Sequence, residues 1–337
     1  MSSVFRHLPA AAALLLAALV WAETAAAQAA RAESPATAEA PASTVGQPDL
    51  EGYWTNDTYT PLERPAELAG KEFFTAEEAA AFVQSRIDRL HAQAADDIHY
   101  DDAIWQAENY GKKANLRTSL IVEPRDGKLP PLAAEGQARY AHQLATQRAS
   151  AASESAAHRS LAERCISWGN VGPPMMPPTY SANMQIVQAP GLVIIRHEIM
   201  NAARTIYLDG RPHPSADVQW LAGHSVGRWE GRTLVVDTTN FTPWTNFRGS
   251  PQHTRQDIFA SERMHVVERF TPTDADTIHY AFTVEDPTTW TTPWSGEMEI
   301  RRIDGPIYEY ACHEGNYGLE NILSGARTAE REARESR

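Results

Sequence analysis

Histidine is the side chain that changes charge near neutral pH, and the sequence places four of them where neighbours could fix the ring: His197, His213, His265 and His313. His213 follows Asp209-Gly210-Arg211-Pro212, a rigid turn able to hold an imidazole beside a carboxylate and a guanidinium. Such a group suits a general acid or base whose tautomer is set by Asp209; an Asp–Arg turn carrying a surface histidine is the competing reading. His313-Glu314 adjoins Cys312, so a bridge there would pin the pair, and positioning supplies much of a catalytic rate. A hydrogen-bonded structural histidine explains the same residues. Arg211 and Arg269 are the cations available to stabilise developing negative charge.

The chain contains no GxSxG elbow, HExxH, CxxC pair, Walker loop or strand-linked GxGxxG, so serine hydrolases, zincins, P-loop enzymes and dinucleotide enzymes are not indicated. No cofactor is expected. The four histidines could gather a metal, but no two have helical ligand spacing, so a metal is the lesser reading. Trp244, Trp290, Trp294 and Tyr310, with Phe247 and Tyr308, fall at strand ends or in loops and suit stacking on a flat apolar ligand. Core and rim packing is the alternative use of the same side chains.

These residues need a scaffold, and the second half of the chain supplies its pattern. From Met184 onward, short runs rich in β-branched and aromatic residues recur at intervals of about ten, separated by Gly, Pro, Asp and Asn. The runs are 185–188, 192–199, 205–209, 225–230, 233–239, 264–270, 277–285, 296–303 and 307–312, and they predict a mainly β fold, an antiparallel β-barrel with a lipocalin-like meander. A further strand is read at Gly52-Tyr53-Trp54. Alternation puts Val193, Ile195 and His197 on one face. In 264–270 it puts His265 and Arg269 on one face and Glu268 on the other, so either face carries a charge inward if the barrel closes. Helical segments precede the strands. Thr75-Ala76-Glu77-Glu78 fits a capping box opening a helix to about residue 95, and a second helical stretch spans about 133–163 with a break near 150–155.

At 337 residues and 42% hydrophobic content the chain is long enough for one large core. Asp plus Glu number 43 against 30 Lys plus Arg, a net charge of -13 that would repel a phosphate backbone, so nucleic acid is not an expected partner. Residues 1–28 carry Arg6, an apolar run and small residues around Ala25 and Ala27, the pattern of a secretory signal peptide rather than a membrane span. Residues 29–47 lack large apolar side chains and read as a disordered tether. One barrel-like domain is expected over 48–327, with a helical insertion at about 75–163 and a polar tail at 328–337. The two cysteines, Cys165 and Cys312, would form one bridge in an oxidising compartment, two buried thiols being the alternative.

Five motifs then stand out in order: 117–124 RTSLIVEP, 208–213 LDGRPH, GRWEG at 227–231 running into LVVDTTNF at 234–241, VERF at 267–270, and YEYACHEGN at 308–316. Together they resemble a large family of secreted bacterial proteins, mostly without an assigned activity, over about residues 48–327. The resemblance implies the fold and a periplasmic or secreted location more than a chemistry. The residues themselves point to a cofactor-independent lyase or isomerase. In such an enzyme His and carboxylate groups lining the barrel interior would eliminate, isomerise or cleave C–C bonds by retro-aldol chemistry in an aromatic or hydrophobic small molecule, for instance a plant-derived phenolic dimer. A non-catalytic lipocalin-like carrier of an apolar ligand is the other expectation.

Overall fold

The computed structural model describes residues 47–58, 60–91, 116–146, 153–169, 171–177, 181–244, 246–248, 257–259 and 261–336. The leader and nearly all of the tether read from the sequence lie outside them.

The fold is mainly β. Twelve strands are described: β1 Gly52–Thr55, β2 Ile121–Glu123, β3 Asn183–Ala189, β4 Leu192–His197, β5 Ala203–Tyr207, β6 His224–Glu230, β7 Thr233–Thr239, β8 Asn246–Arg248, β9 Asp257–Phe259, β10 His265–Pro272, β11 Thr277–Glu285 and β12 Trp294–Arg302. Among the described residues nine of them close a barrel in the order β1-β3-β4-β5-β6-β7-β10-β11-β12, with β12 returning to β1 and β2 added at the other end of β12. β8 and β9 form a separate two-stranded ribbon. The neighbours are antiparallel except β5 and β6, which run parallel and pair only through Ile206↔Ser225 and Tyr207↔Val226. The long connection 208–223 makes that reversal possible, since a parallel neighbour cannot be reached by a tight turn.

Alternation in the strands decides what fills the barrel. Val193, Ile195, Ile206, Leu234, Val236, Val266, Phe270, Ile278, Tyr280, Phe282, Val284, Trp294, Met298 and Ile300 are all at most 2% exposed and form one core cluster with Trp54. Met175 and Met176, from a segment outside the sheet, complete that cluster. Among the described residues the interior expected to hold a ligand among imidazoles is filled by these apolar side chains. Large aromatic residues occupy it.

Among the described residues three helices flank the barrel: α1 Ala76–His91, α2 Ala134–Thr146 and α3 Tyr317–Glu335. The capping box forms as read, with Thr75 N–H donating to Glu78 Oε2 (2.8 Å) and Glu78 N–H to Thr75 Oγ1 (3.2 Å). The second helix is described to Thr146, and the stretch to residue 163 ends in a 3₁₀ turn at Ala156–His158 and further turns. Run 307–312 is not a strand: β12 already has β1 and β2 as partners, and the chain passes on as a strap. α3 was not foreseen; Asn316 caps it by accepting from Leu319 N–H at 3.4 Å, and the polar residues after 327 continue it.

Candidate functional site

Where β5 and β6 are not yet paired, a cavity of about 500 Å³ opens. Ala203, Thr205 and Tyr207 come from β5, Trp220, Leu221 and His224 from the entry to β6, and Leu161, Ile166, Trp168 and Val171 from a turn-rich wall segment. The volume is in the range of small-molecule sites, and the lining is mixed, with Trp168, Tyr207 and Trp220 beside the polar Ser167, Arg204, Thr205 and His224.

His224 is the ionisable ring in this lining that reaches a relay. Its Nδ1 lies 2.9 Å from Nδ1 of His213, and Nε2 of His213 lies 3.0 Å from Asp237 Oδ1. The second carboxylate oxygen of Asp237 takes His265 Nε2 at 2.8 Å, and Glu285 stands 3.7 Å from the other nitrogen of that ring. The sheet register brings these groups together: His224 opposes Thr239, Asp237 sits two residues back on the same face of β7, and His265 opposes Glu285. His213 comes from the loop. Asn240 anchors that loop by donating from Nδ2 to the carbonyls of Ser215 and Val218, both at 2.9 Å. Gly223, at φ +67, lets the chain enter β6 beside β7; a Cβ there would lie 2.7 Å from the Thr239 carbonyl oxygen.

The chain of bonds fixes the tautomers. With Asp237 ionised, His213 donates Nε2–H to it and its Nδ1 is left as a lone pair. His224 must then donate from Nδ1, which turns the Nε2 lone pair of His224 to the remaining side of the ring. That nitrogen has no protein partner among the described residues, while the ring is stacked on Tyr207 (5.5 Å between centroids) and tilted against Trp220 (5.4 Å). Burial pushes the His224 pKa down, and the Arg211 charge pushes the same way, as would a proton on His213. The hydrogen bond to Asp237 holds His265 above the ordinary imidazole value, and the same bond holds Asp237 below the usual carboxylate range.

The other residues singled out in the sequence fall elsewhere. Asp209 pairs with Arg211 (2.5 Å) rather than with His213, and Arg211 lies 3.9 Å over the Tyr207 ring, so the turn sets a cation behind the aromatic stack. Arg269 is on the outer face and pairs with Glu230 at 3.0 Å. His313 and Glu314 are exposed on a 3₁₀ turn. Trp290 and Trp294 are 1% and 0% exposed, edge to face with each other, so they are core and not ligand rim. Trp244 is 67% exposed and lies outside the cavity lining. Tyr310 lines a hollow beside the disulfide. The bridge itself forms, joining Cys165 and Cys312 across a sequence separation of 147.

His197 is inward-facing and 5% exposed, as alternation required. Burial, reinforced by the Arg204 charge, pushes its pKa down from 6.5 to about 3. The native state thus refuses a proton that the unfolded chain binds below pH 6.5, and stability falls as pH drops, by about 1.4 kcal/mol per unit between pH 6.5 and 3. Urea unfolding of wild type and His197→Leu across that range should show the variant lacking this slope; equal slopes would refute the buried neutral imidazole.

Sequence reasoning missed His224 and Asp237. Asp237 is the one ionisable residue in 233–239, the same signal that drew attention to His197 and His265. Among the described residues no group of three or more His, Cys, Asp or Glu has the geometry to hold a metal ion, and no helix is long and apolar enough to cross a membrane. Comparison with protein-family profiles, with curated proteins and with solved structures finds no match.

Proposed function

We propose that the chain is a cofactor-independent acid–base enzyme, a lyase or isomerase, that works on an aromatic or otherwise apolar small molecule in the periplasm or outside the cell. The observation that carries the reading is His224, with its Nε2 unpartnered at the cavity and its Nδ1 on a relay to Asp237. In this reading Nε2 takes a hydroxyl or carbon-bound proton from the substrate. The resulting imidazolium is stabilised through His213 by the Asp237 carboxylate, and return of the proton completes elimination, isomerisation or retro-aldol cleavage. Tyr207, Trp220 and Trp168 supply faces for a flat ring. Two-ring phenolic compounds suit a cavity of this volume, and the acidic surface does not favour polyanions.

An apolar-ligand carrier would use the same cavity without the relay. His213→Gln separates the two readings. A glutamine amide can still donate to Asp237 and accept from His224, but it cannot share positive charge, so turnover should fall by about tenfold with ligand affinity unchanged. The assay pairs a turnover screen of hydroxylated and carbonyl-bearing aromatic compounds with calorimetric binding of the same set. Compounds that bind wild type and never turn over would establish the carrier.

A further inference from the structure

We propose that the Cys165–Cys312 disulfide is a redox latch that holds the outer wall of the cavity in place. Four cavity-lining residues, Leu161, Ile166, Ser167 and Trp168, flank Cys165 within four positions. Their segment has no regular helix or strand and closes on itself by short-range bonds: Ile166 N–H and Ser167 N–H both donate to the Leu161 carbonyl, at 2.9 and 3.4 Å. Its ends are held by Arg327 donating to the Glu154 and Ser153 carbonyls and by Met175 in the core, and its middle is held by the C-terminal strap, through the bridge to Cys312 and Asn316 Nδ2 donating to the Glu163 carbonyl at 2.8 Å. The strap is in turn tied to the β4–β5 connection. Tyr308 N–H donates to Glu198 Oε2 (3.0 Å), and Asn201 Nδ2 donates to the Tyr310 carbonyl (3.0 Å). The cavity begins one residue later, at Ala202. Barrel, strap, bridge and wall thus form one series, with the disulfide as its covalent link.

One feature makes that link switchable. A hollow of about 320 Å³ lined by Cys165, Cys312, Tyr310 and Asn316 gives an incoming thiolate a way to the sulfurs. The co-reactant is a dithiol. Its thiolate attacks one sulfur of the bridge, the other cysteine leaves as thiolate and is protonated, and the second thiol of the dithiol then attacks the mixed disulfide. The products are two cysteine thiols and the oxidised dithiol, two electrons having passed to the protein. The wall then swings away and the cavity exchanges freely with solvent.

The inference rests on the position of the cavity and not on the chemistry proposed in it. The test is hydrogen exchange by mass spectrometry on the full oxidised chain, on the same chain reduced with dithiothreitol under folding conditions, and on Cys165→Ser/Cys312→Ser. Reduction should raise exchange in 160–172 by roughly tenfold while β10 and β11 stay protected. Three results would overturn it: unchanged exchange in 160–172, a matching rise in the strands showing that the bridge supports the whole barrel, or a bridge that dithiothreitol leaves intact in the folded protein. Because the reduced wild type is measured directly, a double variant that fails to fold does not block the test.

Discussion

Arg204→Met is expected to destabilise the fold by about 3–5 kcal/mol, because it strands an ionised carboxylate inside the barrel. Arg204 on β5 and Glu268 on β10 both point inward, at 6% and 0% exposure. The guanidinium grips the carboxylate with two bonds, NH1 to Oε2 at 2.5 Å and NH2 to Oε1 at 2.9 Å. Tyr280 adds a third by donating its hydroxyl to Oε1 (2.8 Å), and the Met175 amide in turn donates to the Tyr280 oxygen (2.9 Å). Burial and the Glu268 charge keep that phenol protonated far above its ordinary pKa. Burial alone would depress the Arg204 pKa, but the charge and hydrogen bonds of Glu268 outweigh it and raise the value. With methionine in place of the cation, a single phenol hydroxyl remains for a carboxylate that is 0% exposed in the native fold.

The double variant Arg204→Met/Glu268→Leu shows whether charge or shape matters. It buries no ion, so it should recover most of the loss, and replacing such a pair by apolar residues is often neutral. Urea midpoints at constant slope measure both. A single variant within about 1 kcal/mol of wild type would mean that water reaches Glu268 in the core. The same network orders the Met175–Met176 segment that fills the barrel, so the single variant should also loosen that segment.

Much of the barrel was legible because alternation is a local property of a strand. Runs 233–239 and 277–285 coincide with β7 and β11, and the turn glycines Gly191 and Gly231 take positive φ at the hairpins. The facing of the strands was not legible for a physical reason. Residues 264–270 carry ionisable groups on both faces, and only the closed sheet decides that Glu268 goes in while His265 and Arg269 go out. The expected inward facing of the histidines failed by the same ambiguity. His265 and His213 do share a carboxylate, but on the outer face of the sheet under the 208–223 loop, not in the lumen.

Pairing is the other thing a periodicity cannot report. Asp237 becomes a partner of two histidines only through the β7–β10 register and the fold-back of the loop. His224 faces a cavity because β5 and β6 run parallel and leave a gap at their start. The aromatic residues were ambiguous for a related reason. Trp294 packs edge to face on Phe282 at 5.5 Å and Trp220 stacks toward a cavity histidine, yet nothing in either side chain announces which role it takes.

His224→Gln is the decisive substitution for the chemistry, with turnover expected to fall by about 10²–10⁴-fold while ligand affinity changes little. Glutamine fills the space of the ring and can still donate toward His213, so the loss isolates the Nε2 lone pair. The pH profile gives a second signature. Burial, the Arg211 charge and any proton on His213 lower the His224 pKa, so the ring remains neutral at neutral pH and ready to accept a proton. Activity should therefore be flat through neutrality and decline on the acid side only below 6.5, as protonation consumes the lone pair. Arg211→Gln removes one of the charges that depress that value, so the acid limb should move up toward 6.5 without loss of the plateau. Both are read from kcat/KM against pH. A His224→Gln variant with wild-type turnover, or one that keeps the same acid limb, would move the base to another residue and leave His224 as a wall of the binding site.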